Sequence, residues 1–161
     1  MPVSTNSANP SGTHLPYVAK LLQRINGPIL ELGSGFFSTP LLYWHTVMHK
    51  QPFRSYESKK EWAETMGSPV QYIQDWSQAN ISEMRWSLVF IDHGQALLRK
   101  DHAIAVKDLS DYVVLHDTEE TFEPTYRYSE VWPHFKYRRD FTDILPNTTI
   151  LSNTKELDWL G

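Results

Sequence analysis

Five short strand-like runs, each with an acidic residue at or near its end and separated by segments of helical spacing, constrain this chain more than any other feature. The first, Pro28-Ile29-Leu30-Glu31-Leu32, enters the turn Gly33-Ser34-Gly35 and reads as a buried strand. The others are residues 53–56 ending at Glu57, 70–73 ending near Asp75, 87–91 ending at Asp92-His93-Gly94, and 112–115 ending at His116-Asp117. Between them, Ser38 or Thr39 caps a helix with a stripe of Leu41, Trp44 and Met48 that includes His45. Residues 58–66 form a second helix, and Leu97, Leu98, Ile104, Ala105 and Leu109 share one face of a third. Strands that alternate with helices imply an α/β fold: a single doubly wound, mostly parallel sheet with helices on both faces.

Outside this alternation, Val18, Leu21, Leu22 and Ile25 follow helical spacing up to a stop at Asn26-Gly27. At the other end, residues 135–141 alternate, and residues 148–151 follow after Leu145-Pro146-Asn147, which predicts an antiparallel C-terminal strand pair. Residues 1–13 are Ser, Asn, Pro and Gly with little that is apolar, and read as a mobile leader ahead of one domain at 14–161.

Cysteine is missing from all 161 residues, so thiolate nucleophiles and cysteine-ligated metal centres are excluded. With 15 Lys and Arg against 19 Asp and Glu, the formal charge of −4 argues against nucleic acid or an anionic membrane as partner. No run approaches the roughly 18 apolar residues of a membrane span, and the expectation is a cytoplasmic protein. The basic residues Lys136, Arg138 and Arg139 suit an exposed edge strand.

In a doubly wound sheet the ligand sits beyond the carboxyl ends of the strands, at the switch in strand order. Glu31, Glu57, Asp75, Asp92 and Asp117 all reach that rim. Gly33 and Gly35 let the backbone approach a ligand, and Glu57 follows Gly35 by 22 residues, the separation of an acid that holds ribose hydroxyls. The third glycine of a dinucleotide fingerprint is missing. Glu31 stands two residues before the first glycine, where it would repel a pyrophosphate and attract an ammonium or sulfonium.

These residues resemble the class I S-adenosylmethionine-dependent methyltransferases. The likeness rests on Glu31-Leu32-Gly33-Ser34-Gly35, on Glu57, on Asp75-Trp76, on Phe90-Ile91-Asp92-His93 and on Val114-Leu115-His116-Asp117. It implies S-adenosylmethionine as cofactor. Gly33, Ser34 and Gly35 would run beside the methionyl part, Glu31 would lie near its amino group, and Ser38 or Thr39 would meet its carboxylate. Glu57 would take the ribose, Asp75 the adenine amino group, Trp76 or Tyr56 the ring face, and Asp92 would lie near the sulfonium.

Asp92-His93 with Asp117 is also similar to the cation-dependent small-molecule O-methyltransferases, in which acids at these two strand ends hold a magnesium ion. Thr118 stands where those enzymes have Asn, and Gln95 where they have the catalytic Lys. The catalytic candidates are Asp92, Asp117 and two histidines, His93 and His116, whose imidazoles suit a base at neutral pH. The expected reaction is methyl transfer to an oxygen or nitrogen of a small molecule, and assembly with a second copy stays open. The competing readings are a non-catalytic S-adenosylmethionine or nucleoside binder and an NAD-dependent oxidoreductase.

Overall fold

The structure is a computed structural model and describes residues 10–161. Of the leader, residues 1–9 lie outside the described part. Pro10–Gly12 form a 3-10 turn, and Thr13 and His14 are buried, so the leader packs before its expected end. A composition argument misses this because the contact is made by hydroxyl and imidazole groups, not by apolar side chains.

Seven strands form one sheet in the order β3-β2-β1-β4-β5-β7-β6. They are β1 (Ile29–Leu32), β2 (Phe53–Glu57), β3 (Val70–Tyr72), β4 (Trp86–Ile91), β5 (Ser110–His116), β6 (Tyr137–Phe141) and β7 (Thr148–Ser152). The first five pair in parallel, and β7 runs antiparallel to both β5 and β6. The doubly wound sheet and its antiparallel C-terminal pair are therefore as expected. One detail differs: β7 is buried along its whole length between two neighbours, and of this pair β6 alone is an edge strand.

Alternation along the strands divides the core between the two faces. Leu30, Leu32, Val89, Ile91, Val113 and Leu115 point to one side, where Trp76, Ala103, Val106, Tyr128 and Val131 cover them. Ile29, Leu88, Phe90, Tyr112 and Val114 point to the other, under Val18, Leu21, Leu42, Leu157 and Leu160. Glu31 belongs to the second set. It is the carboxylate in an otherwise apolar strand, which makes its position at the switch between β1 and β4 conspicuous.

The helices are α1 (Leu15–Leu22), α2 (Ser38–His49), α3 (Lys60–Met66), α4 (Ala96–Val106) and the short α5 (Glu123–Tyr126). Two of them present other faces than expected. In α2 the residues turned inward are Ser38, Thr39, Leu42 and Thr46, while Trp44 is 60 % exposed and Met48 78 %. In α4 Leu98 and Ile104 of the expected face pack against the core, but the buried residues are Arg99, Ala103 and Val106, and Leu97 is exposed. Nor does Ser38 or Thr39 act as the N-cap of α2. Phe37 holds that position, and the Thr39 hydroxyl instead accepts the Gly35 amide at 2.9 Å. No helix among the described residues is long and apolar enough to cross a membrane.

Candidate functional site

The carboxyl ends of β1, β2, β4 and β5 converge on three adjoining cavities. One, of about 280 Å³, lies among Ser34, Glu57, Lys59, Trp62, Asp92 and Gly94. A second, of about 160 Å³, shares Ser34, Trp62 and Asp92 with it and reaches His14 and Ser38. A third, of about 190 Å³, lies among Ser11, Asp92, His116, Asp117 and Pro146. Asp92 borders all three. A larger hollow of about 790 Å³ lies elsewhere, between α1 and the exposed stripe of α2. It is apolar and remote from the strand ends, so the chemistry favours the smaller cavities.

At the end of β2, Glu57 is buried and accepts the Ser34 amide at 3.1 Å on one oxygen and the Lys59 amide at 2.8 Å on the other. Each oxygen keeps lone-pair capacity for a further donor. The indole of Trp62 donates to the Ser34 carbonyl at 2.6 Å and packs edge-on against Phe36, so this side chain walls both neighbouring cavities. Gly33 adopts φ +96°, and a Cβ there would stand 2.4 Å from the backbone nitrogen of His93. Only glycine turns here while β4 ends so close.

Glu31 faces the start of α2. Register pairs it with Ser55 on β2, whose hydroxyl donates at 2.5 Å, and Thr39 donates to the same oxygen at 2.8 Å. The other carboxylate oxygen is buried and has no hydrogen-bond partner among the described residues. Burial pushes the Glu31 carboxyl up to about 7 against the pull of the Ser55, Ser38 and Thr39 hydroxyls. An unpartnered carboxylate oxygen under the glycine turn suits a cationic ligand group.

At the other end of the rim, Arg99 projects from the middle of α4 with a side chain 5 % exposed. Its guanidinium meets Asp92 Oδ1 at 3.0 Å and Asp117 Oδ2 at 3.0 Å, and its Nε donates to the His93 carbonyl at 2.7 Å. Asp117 takes a left-handed φ of 58°, and Tyr126 donates to it at 3.3 Å while its ring lies under Arg99. His116 Nδ1 stands 3.4 Å from the remaining oxygen of each acid. Burial lowers the pKa of His116, and the carboxylates of Asp92 and Asp117 more than reverse this, so the imidazole is held above its ordinary value.

His14 lies beside this cluster, its ring 5.0 Å from that of His116 and 4.7 Å from Phe90. Neither of its nitrogens has a hydrogen-bond partner among the described residues. Burial first, and then His116, lower its pKa to about 4.

Of the residues expected at the site, Glu31, Gly33, Ser34, Gly35, Ser38, Thr39, Glu57, Asp92, His116 and Asp117 come together at these strand ends. Four do not. His93 turns into the core, stacked on Trp76 and bonded to His102 at 2.9 Å, with burial pushing its pKa down to about 2. Trp76 and Tyr56 belong to the apolar cluster on that face. Asp75 is exposed and caps the turn Trp76–Gln78 through the Ser77 amide at 2.8 Å. These placements assign packing and capping contacts to residues expected to flank adenine or act as base.

Magnesium does not fit the acids as found. Asp92 and Asp117 are bridged by a buried guanidinium, and their remaining oxygens face an imidazole nitrogen, whereas magnesium takes oxygen ligands and water. Sequence reasoning missed Arg99, Trp62, Thr13 and His14 as site residues. Arg99 had one signal: two rim acids with Gln95 where a Lys was expected require a cation from elsewhere.

No protein-family model matches the sequence, and no curated protein matches it. Solved structures do. The human methyltransferase 10 domain containing protein superposes with a TM-score of 0.54 at 8 % identity, covering 88 % of this chain and 80 % of that one. The chain has the fold of the class I methyltransferases. A methyltransferase from Pyrococcus furiosus gives 0.52 at 12 % identity over 92 % and 88 % of the two chains. The METTL16 methyltransferase domain gives 0.51 at 6 % over 92 % and 84 %.

Proposed function

We propose that this protein is an S-adenosylmethionine-dependent methyltransferase that acts on an oxygen or nitrogen of a small molecule. The observation that carries the reading is the pair of cavities joined through Ser34, Trp62 and Asp92, with Glu57 lining one and Ser38, next to the Thr39 that binds Glu31, lining the other. Glu57 suits a ribose diol because both its oxygens are fixed by backbone amides and still accept. Glu31 suits the methionyl ammonium, and the amino-terminal turn of α2, with Ser38 and Thr39, suits the carboxylate. When bound, S-adenosylmethionine supplies an electrophilic methyl group on a sulfonium. The chain's own part is to align the acceptor in line with it and to remove one proton. Asp92, which borders all three cavities at the strand ends, is the group placed to take that proton. Trp62 and Phe36 exclude water from the cofactor side.

Arg99 holds both Asp92 and Asp117, and this favours, as a second reading, a protein that binds the cofactor without transferring its methyl group. Calorimetry with S-adenosylhomocysteine and with NAD tests the cofactor. The expected outcome is binding of the first alone, weakened roughly tenfold or more in Glu57→Gln as charge-assisted hydrogen bonds are lost. Binding of NAD alone would overturn the reading. Transfer of a labelled methyl group to a metabolite mixture separates the enzyme from the binder.

A further inference from the structure

We propose that His14, Asp92 and His116, with Asp117 as fourth donor, form a binding site for a divalent cation of the zinc class. Among the described residues, one ligand atom each from His14, Asp92 and His116 lie within 4.8 Å of one another. His116 Nδ1 is 3.4 Å from Asp92 Oδ2 and 3.4 Å from Asp117 Oδ1. Around a tetrahedral zinc with bonds of about 2.0–2.1 Å, neighbouring donors stand about 3.3–3.4 Å apart. Two edges of such a tetrahedron are thus already in place, and the His14 ligand atom, within 4.8 Å of those of Asp92 and His116, completes the set by moving inward.

Three of the four donors are aimed from behind. Arg99 takes Asp92 Oδ1 and Asp117 Oδ2 and leaves the other oxygen of each acid facing His116 Nδ1. Thr13 Oγ1 lies 2.9 Å from His116 Nε2 and itself donates to the Pro146 carbonyl at 2.8 Å, so Nε2 carries the hydrogen and Nδ1 faces the acids. Ligating histidines are oriented in this manner, with the second ring nitrogen donating to a fixed partner. His14 adds an independent sign: a side chain only 1 % exposed, with two ring nitrogens and no partner, at the edge of the cluster.

Charge and donor type indicate the class of ion. Two carboxylates against one guanidinium leave one negative charge to attract a dication. Two imidazoles with two single carboxylate oxygens match zinc, cobalt or nickel, and not the oxygen-only shell of magnesium. The cavity lined by Ser11, Asp92, His116, Asp117 and Pro146 provides access. Other histidine pairs lack this convergence. His93 and His102 are bonded to each other, and His45 and His49 stack at 4.2 Å on α2 with no carboxylate bonded to either among the described residues.

The test uses the metal alone and is independent of methyl transfer. Because the His45 and His49 rings are separated by one helical turn and can capture zinc adventitiously, the full chain carries His49→Ala throughout. Titration with cobalt, zinc and magnesium should show one saturable site for cobalt and zinc, a rise in Tm with zinc, and no competition by magnesium at equal concentration. His14→Ala should weaken zinc binding roughly 10–100-fold. Should that variant unfold, the side-chain ¹⁵N signals of the histidines in the His49→Ala protein decide the matter: zinc should move His14 and His116 and spare His134. Absence of a saturable site, affinity unchanged in folded His14→Ala, or unmoved His14 signals would each overturn the proposal.

Discussion

The hydroxyl of Thr13 and the imidazole of His116 lie 2.9 Å apart across 103 residues of chain. Thr13 spends its single proton on the Pro146 carbonyl, so it accepts from His116 and fixes which imidazole nitrogen faces Asp92 and Asp117. Thr13→Val keeps the shape and removes the acceptor, leaving a buried N–H unpaired. Its urea midpoint should correspond to a loss of about 1–2 kcal/mol. Thr13→Ser should retain most of the stability. An unchanged midpoint in Thr13→Val would remove this role.

Arg99 joins α4 to the ends of β4 and β5 through two ion pairs with a nearly inaccessible side chain. Replacement by Met should destabilise the fold by about 3–5 kcal/mol, because two carboxylates then lose their shared partner. Lys in its place should rescue little, since a single ammonium cannot span both acids as the guanidinium does. Denaturant unfolding of the two variants checks this, and wild-type stability in Arg99→Lys would show that charge alone suffices.

How legible these features were in the sequence depended on burial. Strands covered on both faces read as largely apolar runs, so β1, β4 and β5 and the acids at their ends were visible in advance, and β2 was read from its place in the alternation and its closing Glu57. Helix faces were not. Leu41, Trp44 and Met48 line up on α2, yet its start rests on Glu31 and the glycine turn, and the contacts there are hydroxyls. Ser38, Thr39 and Thr46 are therefore buried while Trp44 is exposed. Arg99 broke the apolar pattern of α4 for the same reason: a buried charge follows its partners, which lie far off in sequence. His93 continues the Val89 and Ile91 face of β4 into the core, whereas His116 lies level with Asp92 and continues the Tyr112 and Val114 face of β5 to the rim.

Gly33 and Gly67 share a positive φ, +96° and +69°, but differ in their surroundings. A Cβ on Gly33 would meet His93 backbone atoms at 2.4 and 2.5 Å, whereas one on Gly67 finds nothing within 4 Å. Gly67 combines φ +69° with ψ −162°, a conformation essentially confined to glycine, so Gly67→Ala should lose only this conformational term, about 1–3 kcal/mol. Gly33→Ala should lose roughly 3 kcal/mol or more, because β4 must move. Thermal unfolding of the pair measures the difference, and equal losses would contradict the close approach of β1 and β4.

Glu31 should make stability fall as pH rises through the neutral range. Burial raises its carboxyl from 4.5 to about 7 in the folded protein, with Asp92 adding to the rise and the hydroxyls of Ser55, Ser38 and Thr39 opposing it. The folded state thus holds the proton more tightly than the unfolded chain does. Its contribution is complete below the unfolded value of 4.5 and is lost as pH climbs through about 7. The full difference across that window amounts to roughly 3 kcal/mol. Glu31→Gln cannot titrate, so the stability of the variant relative to the parent should rise by about that amount between pH ~5 and ~7.5. Urea midpoints at several pH values check this. A bound ammonium beside the carboxylate would favour its ionised form, so S-adenosylhomocysteine should release protons when it binds near pH ~6.5, which calorimetry in buffers of different ionisation enthalpy detects. A difference between Gln and Glu that stays flat across the window would mean that Glu31 ionises as readily in the fold as outside it.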